Sequence, residues 1–170
     1  MRIAIGADHA GFRYKEQLAA DLSAWGHEVE DLGTHTEAAA DYPDFAAAVA
    51  EAVRNGSAER GVVICGSAVG VSVAANKFPG IRAGVCHDTY SAHQGVEHDD
   101  MNVLCLGERI VGIELAREVL RSFLGARFTE EERHRRRLNK VLEIERRFLR
   151  SAGERTGPRA VGVEPREPAE

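Results

Sequence analysis

Short apolar, β-branched runs alternate along this chain with longer stretches whose apolar residues recur every three or four positions. Ile3 to Ala7 reads as a first strand, and Phe12 to Trp25 as a helix carrying Leu18, Leu22 and Trp25 on one face, closed by Gly26. His27 to Leu32 is a second strand. Asp41-Tyr42-Pro43 opens a helix that runs to about Arg54 and stops at Asn55-Gly56. Gly61 to Cys65 is apolar along its whole length, the pattern of a strand covered on both faces. Ile81 to Cys86 and Asn102 to Leu106 give strands four and five, with helices at Val69 to Asn76, Thr89 to Glu97 and Ile110 to Leu124. Thr129-Glu130-Glu131-Glu132 has the form of a capping box and begins a long charged helix to about Arg150. Residues 151–170 show no periodicity and are expected to form a flexible tail on a single domain of residues 1–150.

This alternation predicts an α/β fold of three layers, α/β/α, with a five-stranded parallel sheet of flavodoxin or Rossmann type and a long C-terminal helix. In such sheets ligands bind beyond the carboxyl ends of the strands, where the strand order reverses. For an order 2-1-3-4-5 that point lies between strands one and three. Two polar loops then meet there: Asp8-His9 after strand one, and Cys65-Gly66-Ser67-Ala68-Val69-Gly70 after strand three.

Composition narrows the chemistry. A formal net charge of -5 leaves no basic field to hold nucleic acid. No apolar run reaches membrane-spanning length and Met1 leads straight into a strand, so neither a membrane nor secretion is expected. Cys65, Cys86 and Cys105 leave one thiol over in any disulfide scheme and none has zinc-ligand spacing. A reducing cytoplasm and no bound metal follow as expectations. A cysteine-phosphatase loop needs an arginine six residues after its nucleophile, where Val71 stands. Gly6 and Gly11 have phosphate-loop spacing, but Phe12-Arg13 follows in place of Lys and Ser or Thr, and the dinucleotide fingerprint is absent. What remains for the crevice is small-molecule acid–base chemistry.

Cys65 ends a buried strand and faces a helix start through small residues. Backbone N–H groups and the positive helix end favour a thiolate there, and the N–H groups of Gly66 to Gly70 suit an oxyanion or phosphate. From position alone a structural cysteine beside a tight turn fits equally well. Cys86 and Cys105, inside apolar strands, read as inert core. Arg133 and Arg137 lie four apart on the last helix and form either a phosphate clamp or part of a salt-bridged surface face, since Arg135, Arg136, Arg146, Arg147 and Arg150 make that helix basic throughout. His98, in Glu97-His98-Asp99-Asp100, is either an acid–base group held among carboxylates or a polar surface residue. His27, His35 and His93 are read as surface residues.

Taken in order, several segments resemble the ribose-5-phosphate isomerase B family, which includes subunits of galactose-6-phosphate isomerase. They are Gly6-Ala7-Asp8-His9-Ala10-Gly11, Asp41-Tyr42-Pro43, Cys65-Gly66-Ser67 through Gly70, Ala74-Ala75-Asn76-Lys77, Glu97-His98, Asn102-Val103-Leu104, Gly107-Glu108-Arg109 and Arg133-His134 with Arg137. The resemblance covers residues 1 to about 150 and implies an aldose–ketose isomerase without metal or organic cofactor. It implies that Asp8, His9 and Ser67 bind and open the furanose while His98 moves a proton at the ring oxygen. Cys65 then takes the C2 proton, and N–H groups of the Gly66–Gly70 loop, Ala68 and Val69 included, hold the enediolate. Arg133, Arg137, His9 and Arg109 bind the phosphate. Members with a glutamate base carry it where Val69 stands, so the cysteine version applies.

The family places its site between two subunits, so a homodimer or larger homo-oligomer with shared sites is expected. Three positions depart from the family pattern: Ala68 replaces a glycine, Asp99 an asparagine at a substrate-binding position, and Val96 an arginine. Ribose 5-phosphate is the default substrate, with tetrose, allose and galactose phosphates as alternatives. The competing reading from another class is a non-catalytic, flavodoxin-like ligand-binding domain, which would leave Asp8, Cys65 and His98 scattered.

Overall fold

A computed structural model describes residues 1–152, with side chains through 148. Strands β1 (Arg2–Ala7), β2 (Glu28–Asp31), β3 (Arg60–Cys65), β4 (Ala83–Val85) and β5 (Val103–Gly107) form one parallel sheet. Between and after them run helices α1 (Phe12–Ala24), α2 (Tyr42–Asn55), α3 (Val69–Ala75), α4 (Thr89–Asp99), α5 (Ile113–Gly125) and α6 (Glu132–Ala152). Each strand sends alternate side chains to opposite faces. Ile3, Ile5, Val62, Ile64, Leu104 and Leu106 enter one core with the apolar stripes of α1 and α5. Ala4, Val63, Cys65, Val103 and Cys105 enter the other, against α2 and α3. That second face is built of small residues, so the Ala-rich α2 packs close to the strands and brings its first residue, Tyr42, toward the end of β3.

The strand order is β2-β1-β3-β5-β4. The expected 2-1-3-4-5 is thus corrected in its last two places, and the cause lies in the strands themselves. All five positions of β5 are buried, as a central strand requires, whereas β4 is three residues long and half-exposed, as befits an edge. The reversal between β1 and β3 is unaffected. Gly26 and Gly56 close α1 and α2 at φ 84° and 82°, as expected.

The capping box at Thr129 is a second correction. Glu131 starts α6, its carbonyl accepting the N–H groups of His134 and Arg135 at 2.8 and 2.9 Å. Thr129 instead gives both its N–H (3.0 Å) and its hydroxyl (3.1 Å) to the carbonyl of Glu97, at the end of α4. Helix α6 runs two residues past the expected limit, to Ala152, and the rest of the expected tail, 153–170, lies outside the described residues. No helix among the described residues is long and apolar enough to cross a membrane.

Candidate active site

Where the loops after β1 and β3 part, a cleft of ≈ 380 Å³ opens, and Asp8, His9, Cys65, Gly66, Ser67, Gly70 and Arg109 all line it. Gly11 lets the first loop press on β3: a Cβ there would stand 2.6 Å from the carbonyl of Ile64. Asp8 is buried, and one of its oxygens accepts the N–H of Ala10 at 3.0 Å. Nδ1 of His9 lies 3.1 Å from the N–H and 3.2 Å from the carbonyl of Ala40, which hold the ring at the cleft in either tautomer. The Arg109 guanidinium passes over Gly66, and no carboxylate among the described residues pairs with it, so its charge is available to an anion in the cleft.

Cys65 sits at the floor, 6% exposed, and its Sγ accepts the N–H of Ala68 at 3.2 Å. An N–H aimed at sulfur stabilises negative charge there. The other two thiols are unsuited to the role. Burial, and then the Asp88 carboxylate, push the Cys86 thiol up to about 11, and burial drives that of Cys105 higher still. All three cysteines are free.

Ala68 is fully buried in the left-handed region at φ 69°, and its N–H is the one given to the Cys65 sulfur. Val69 turns its side chain outward, 58% exposed, while its N–H reaches Ser67 Oγ at 3.4 Å. Tyr42 and Ile110 line the cleft too, and the residue reading missed both. The Tyr42 ring lies where a Cβ on Gly70 would come within 3.0 Å. Its signal was present in Asp41-Tyr42-Pro43, read as a helix start and as a family-like segment without a site role.

His98, Asp99, Arg133 and Arg137 are elsewhere. Helix α4 runs antiparallel to the strands and ends just before β5, whose first residue pairs with Gly61 at the amino end of β3. Cys65 lies at the other end, roughly 13 Å along the strand. His98 and the start of α6, which rests on it, are therefore at the opposite end of the strands from the cleft of the same chain. Asp99 is exposed and borders a larger apolar groove of ≈ 580 Å³ between β4, α4 and α6. Arg133 donates to Glu131 at 2.8 Å, an exposed pair, while the remaining charges of α6 include the surface pairs Arg135–Glu132 and Arg146–Glu143. His93 lies 3.2 Å from Glu97 on the partly exposed face of α4.

Comparison with known proteins identifies the family. Residues 3–141 match the family described as Ribose/Galactose Isomerase. The chain is 47% identical over 146 residues to ribose-5-phosphate isomerase B of Escherichia coli K12, covering 86% of this chain and 97% of that one. It is 43% identical over 148 residues to D-erythrulose-4-phosphate isomerase 2 of Mycolicibacterium smegmatis, covering 85% and 97%. Among solved structures, ribose-5-phosphate isomerase B of Clostridium thermocellum superposes with a TM-score of 0.85 at 49% identity, covering 87% of this chain and 99% of that chain. Matches of this extent, on a fold whose cleft carries the cysteine and its donor loop, exclude a non-catalytic flavodoxin-like module: the chain belongs to the Ribose/Galactose Isomerase family of sugar-phosphate isomerases.

Proposed function

We propose that this isomerase interconverts ribose 5-phosphate and ribulose 5-phosphate through an enediolate, with Cys65 as the base. Ring opening comes first. The C1–O4 pair moves to O4, which takes a proton from His98, while Asp8 receives the proton of the C1 hydroxyl to leave the aldehyde. The Cys65 thiolate then removes the C2 proton, the C–H pair forms the C1–C2 double bond, and the carbonyl pair becomes the charge on O1. N–H groups of Gly66 to Gly70 hold that oxygen. Return of the proton from sulfur to C1, with the C2 hydroxyl proton passing to O1, completes the ketose. His9, Arg109, Arg133 and Arg137 bind the phosphate. The observation that carries the reading is the Cys65 sulfur at the cleft floor with the Ala68 N–H 3.2 Å away.

The same reading makes the enzyme a homodimer or larger assembly, because His98, Arg133 and Arg137 serve the cleft of a neighbouring chain. Two features support this. One chain holds these groups at the wrong end of its strands. Helix α6 also leaves Val141 (52%) and Ile144 (59%) exposed beside the apolar groove, a surface suited to a second copy. The free thiols fit a reducing cytoplasm.

One observation favours a second substrate. Identity to the erythrulose-phosphate isomerase is nearly that to the ribose-phosphate enzyme, 43% against 47%. A coupled assay comparing kcat/KM for ribose 5-phosphate with tetrose, allose and galactose phosphates decides between them. Preference for the pentose supports the proposal, preference for another phosphosugar overturns the substrate, and no turnover of any overturns the reaction.

A further inference from the structure

The end of α4 is held in an unusual way. An α-helix leaves its last four carbonyls without partners inside the helix. Here the Glu97 carbonyl takes both donors of Thr129, and the His98 carbonyl lies 3.3 Å from Nδ1 of His134. A carbonyl only accepts, so His134 carries its proton on Nδ1. His134 is 1% exposed, and its Nε2 has no hydrogen-bond partner. Its ring lies edge-on to that of His98, centroids 4.0 Å apart and planes at 63°. A buried histidine with an orphaned nitrogen is an expensive cap, since threonine already serves the neighbouring carbonyl. What it adds is a wall against the His98 ring.

The other contact of that ring comes from its own helix. Gln94, four residues earlier, places Nε2 2.8 Å from Nδ1 of His98. The amide nitrogen is a donor, so Nδ1 of the neutral imidazole accepts and the proton resides on Nε2. In the imidazolium state Nδ1 also carries a proton, and the amide can turn to present its oxygen. The imidazolium can then give up its Nε2 proton, with Nδ1 keeping its own on the amide oxygen. Charged groups near the pair include Glu97 and Asp99 on α4, the first engaged with His93; Asp100, paired with Arg82 at 2.6 Å; Glu131, 3.9 Å from Nε2 of His134; and Arg133 and Arg135, which flank His134 and pair with Glu131 and Glu132.

We propose that Gln94 and His134 are positioning residues for His98: Gln94 engages Nδ1 in either charge state, so that Nε2 is the nitrogen that delivers the proton, and His134 fixes the plane of the ring. This rests on the reading of His98 as the group that meets the substrate's ring oxygen. Neither residue touches substrate in this account.

The test uses the full-length enzyme labelled with ¹⁵N in its imidazoles, with long-range ¹⁵N–¹H spectra recorded across pH. In the wild type the neutral His98 shows the Nε2–H tautomer and His134 the Nδ1–H tautomer. Gln94→Leu gives a mixture of tautomers at His98 and lowers kcat about tenfold with KM little changed. Gln94→Glu supplies a permanent acceptor, so His98 stays charged to higher pH and, His98 being the proton donor, the alkaline limb of kcat moves the same way. His134→Phe keeps the wall and lowers kcat less than His134→Ala does. A neutral His98 in the Nδ1–H form in the wild type overturns the proposal, as does a Gln94→Leu enzyme with unchanged tautomer and kcat. If the spectra agree but His98→Asn retains full turnover, positioning stands and the catalytic reading of His98 fails.

Discussion

Replacing Cys65 separates its structural work from its chemical work, because Ala and Ser remove different things. Both remove the group proposed as the base. A general base contributes roughly 10²- to 10⁴-fold to a rate, and a serine hydroxyl with no base beside it remains protonated at neutral pH. Both variants should therefore lose at least about 100-fold in kcat. Stability should divide them. In Cys65→Ala the Ala68 N–H, which now reaches sulfur at 3.2 Å, is left without an acceptor in a buried position. An unsatisfied buried donor costs about 1–3 kcal/mol. The serine oxygen can still accept that N–H, so Cys65→Ser should unfold within about 1 kcal/mol of the wild type. Urea unfolding of the three proteins, beside a coupled isomerase assay, reads both quantities. Cys86→Ser serves as the kinetic control, since that thiol is held near 11 and plays no part in the reaction. A kcat for Cys65→Ala within about threefold of wild type would refute the mechanism, there being too little lost rate for a base.

Three further outcomes follow from the same structure. For Ala68→Gly, relief of the left-handed backbone at φ 69°, worth about 1 kcal/mol, opposes a lost buried methyl (about 0.8) and glycine's extra chain entropy (about 0.5–1). Urea unfolding should place Ala68→Gly within about 1 kcal/mol of wild type, and Ala68→Val several kcal/mol below it, because a β-branched residue is an outlier there; a well-folded Ala68→Val contradicts this. Hydrogen bonds from the N–H (2.7 Å) and hydroxyl (2.8 Å) of Ser91 hold the Asp88 carboxyl below its ordinary 3.8. A depressed carboxyl adds stability above its unfolded pKa that is lost as pH falls through the folded one, so the Tm gap between wild type and Asp88→Asn should close toward strong acid; a gap constant from pH 7 to 2 contradicts it. Finally, Asp99→Asn should keep isomerase activity and shift preference toward ribose 5-phosphate, since Asp99 is exposed and makes no hydrogen bond among the described residues. Loss of turnover on every phosphosugar would give that carboxylate a direct role.

How far the sequence spoke depended on the range of the interactions that decide each feature. Central strands announce themselves because burial on both faces demands an apolar residue at every step, as in Gly61 to Cys65. Helix ends at Gly26 and Gly56 were legible because the backbone there needs φ above zero. The order of β4 and β5 was not, although Arg82 and Gly84 inside the fourth run already weaken it as a central strand. Thr129 had every local mark of a helix cap and was captured by a carbonyl on another helix, an attraction that no local pattern contains. Lys15 is a similar case: a lysine on an amphipathic helix reads as surface, yet it is fully buried, with its ammonium on Asp31 and Glu16. The cleft residues contributed by the loops after β1 and β3 were legible as soon as the parallel sheet was. The placement of His98 and Arg137 was not, because it turns on where α4 runs relative to β3 and, in the proposed enzyme, on a second chain.

That division of the site is the central claim, and complementation tests it most directly. One chain carries Cys65→Ala, and the other carries His98→Asn together with Arg137→Ala. Each alone should be nearly inactive. Co-expressed in equal amounts, half the dimers are mixed, and each mixed dimer has one site with every group intact and one with none. The account predicts recovery of about one quarter of wild-type activity, scaling with the fraction of mixed dimers. Activity that stays at the level of the two inactive parents, in a preparation shown to contain mixed dimers, would place Cys65 and His98 in the service of the same chain and contradict it.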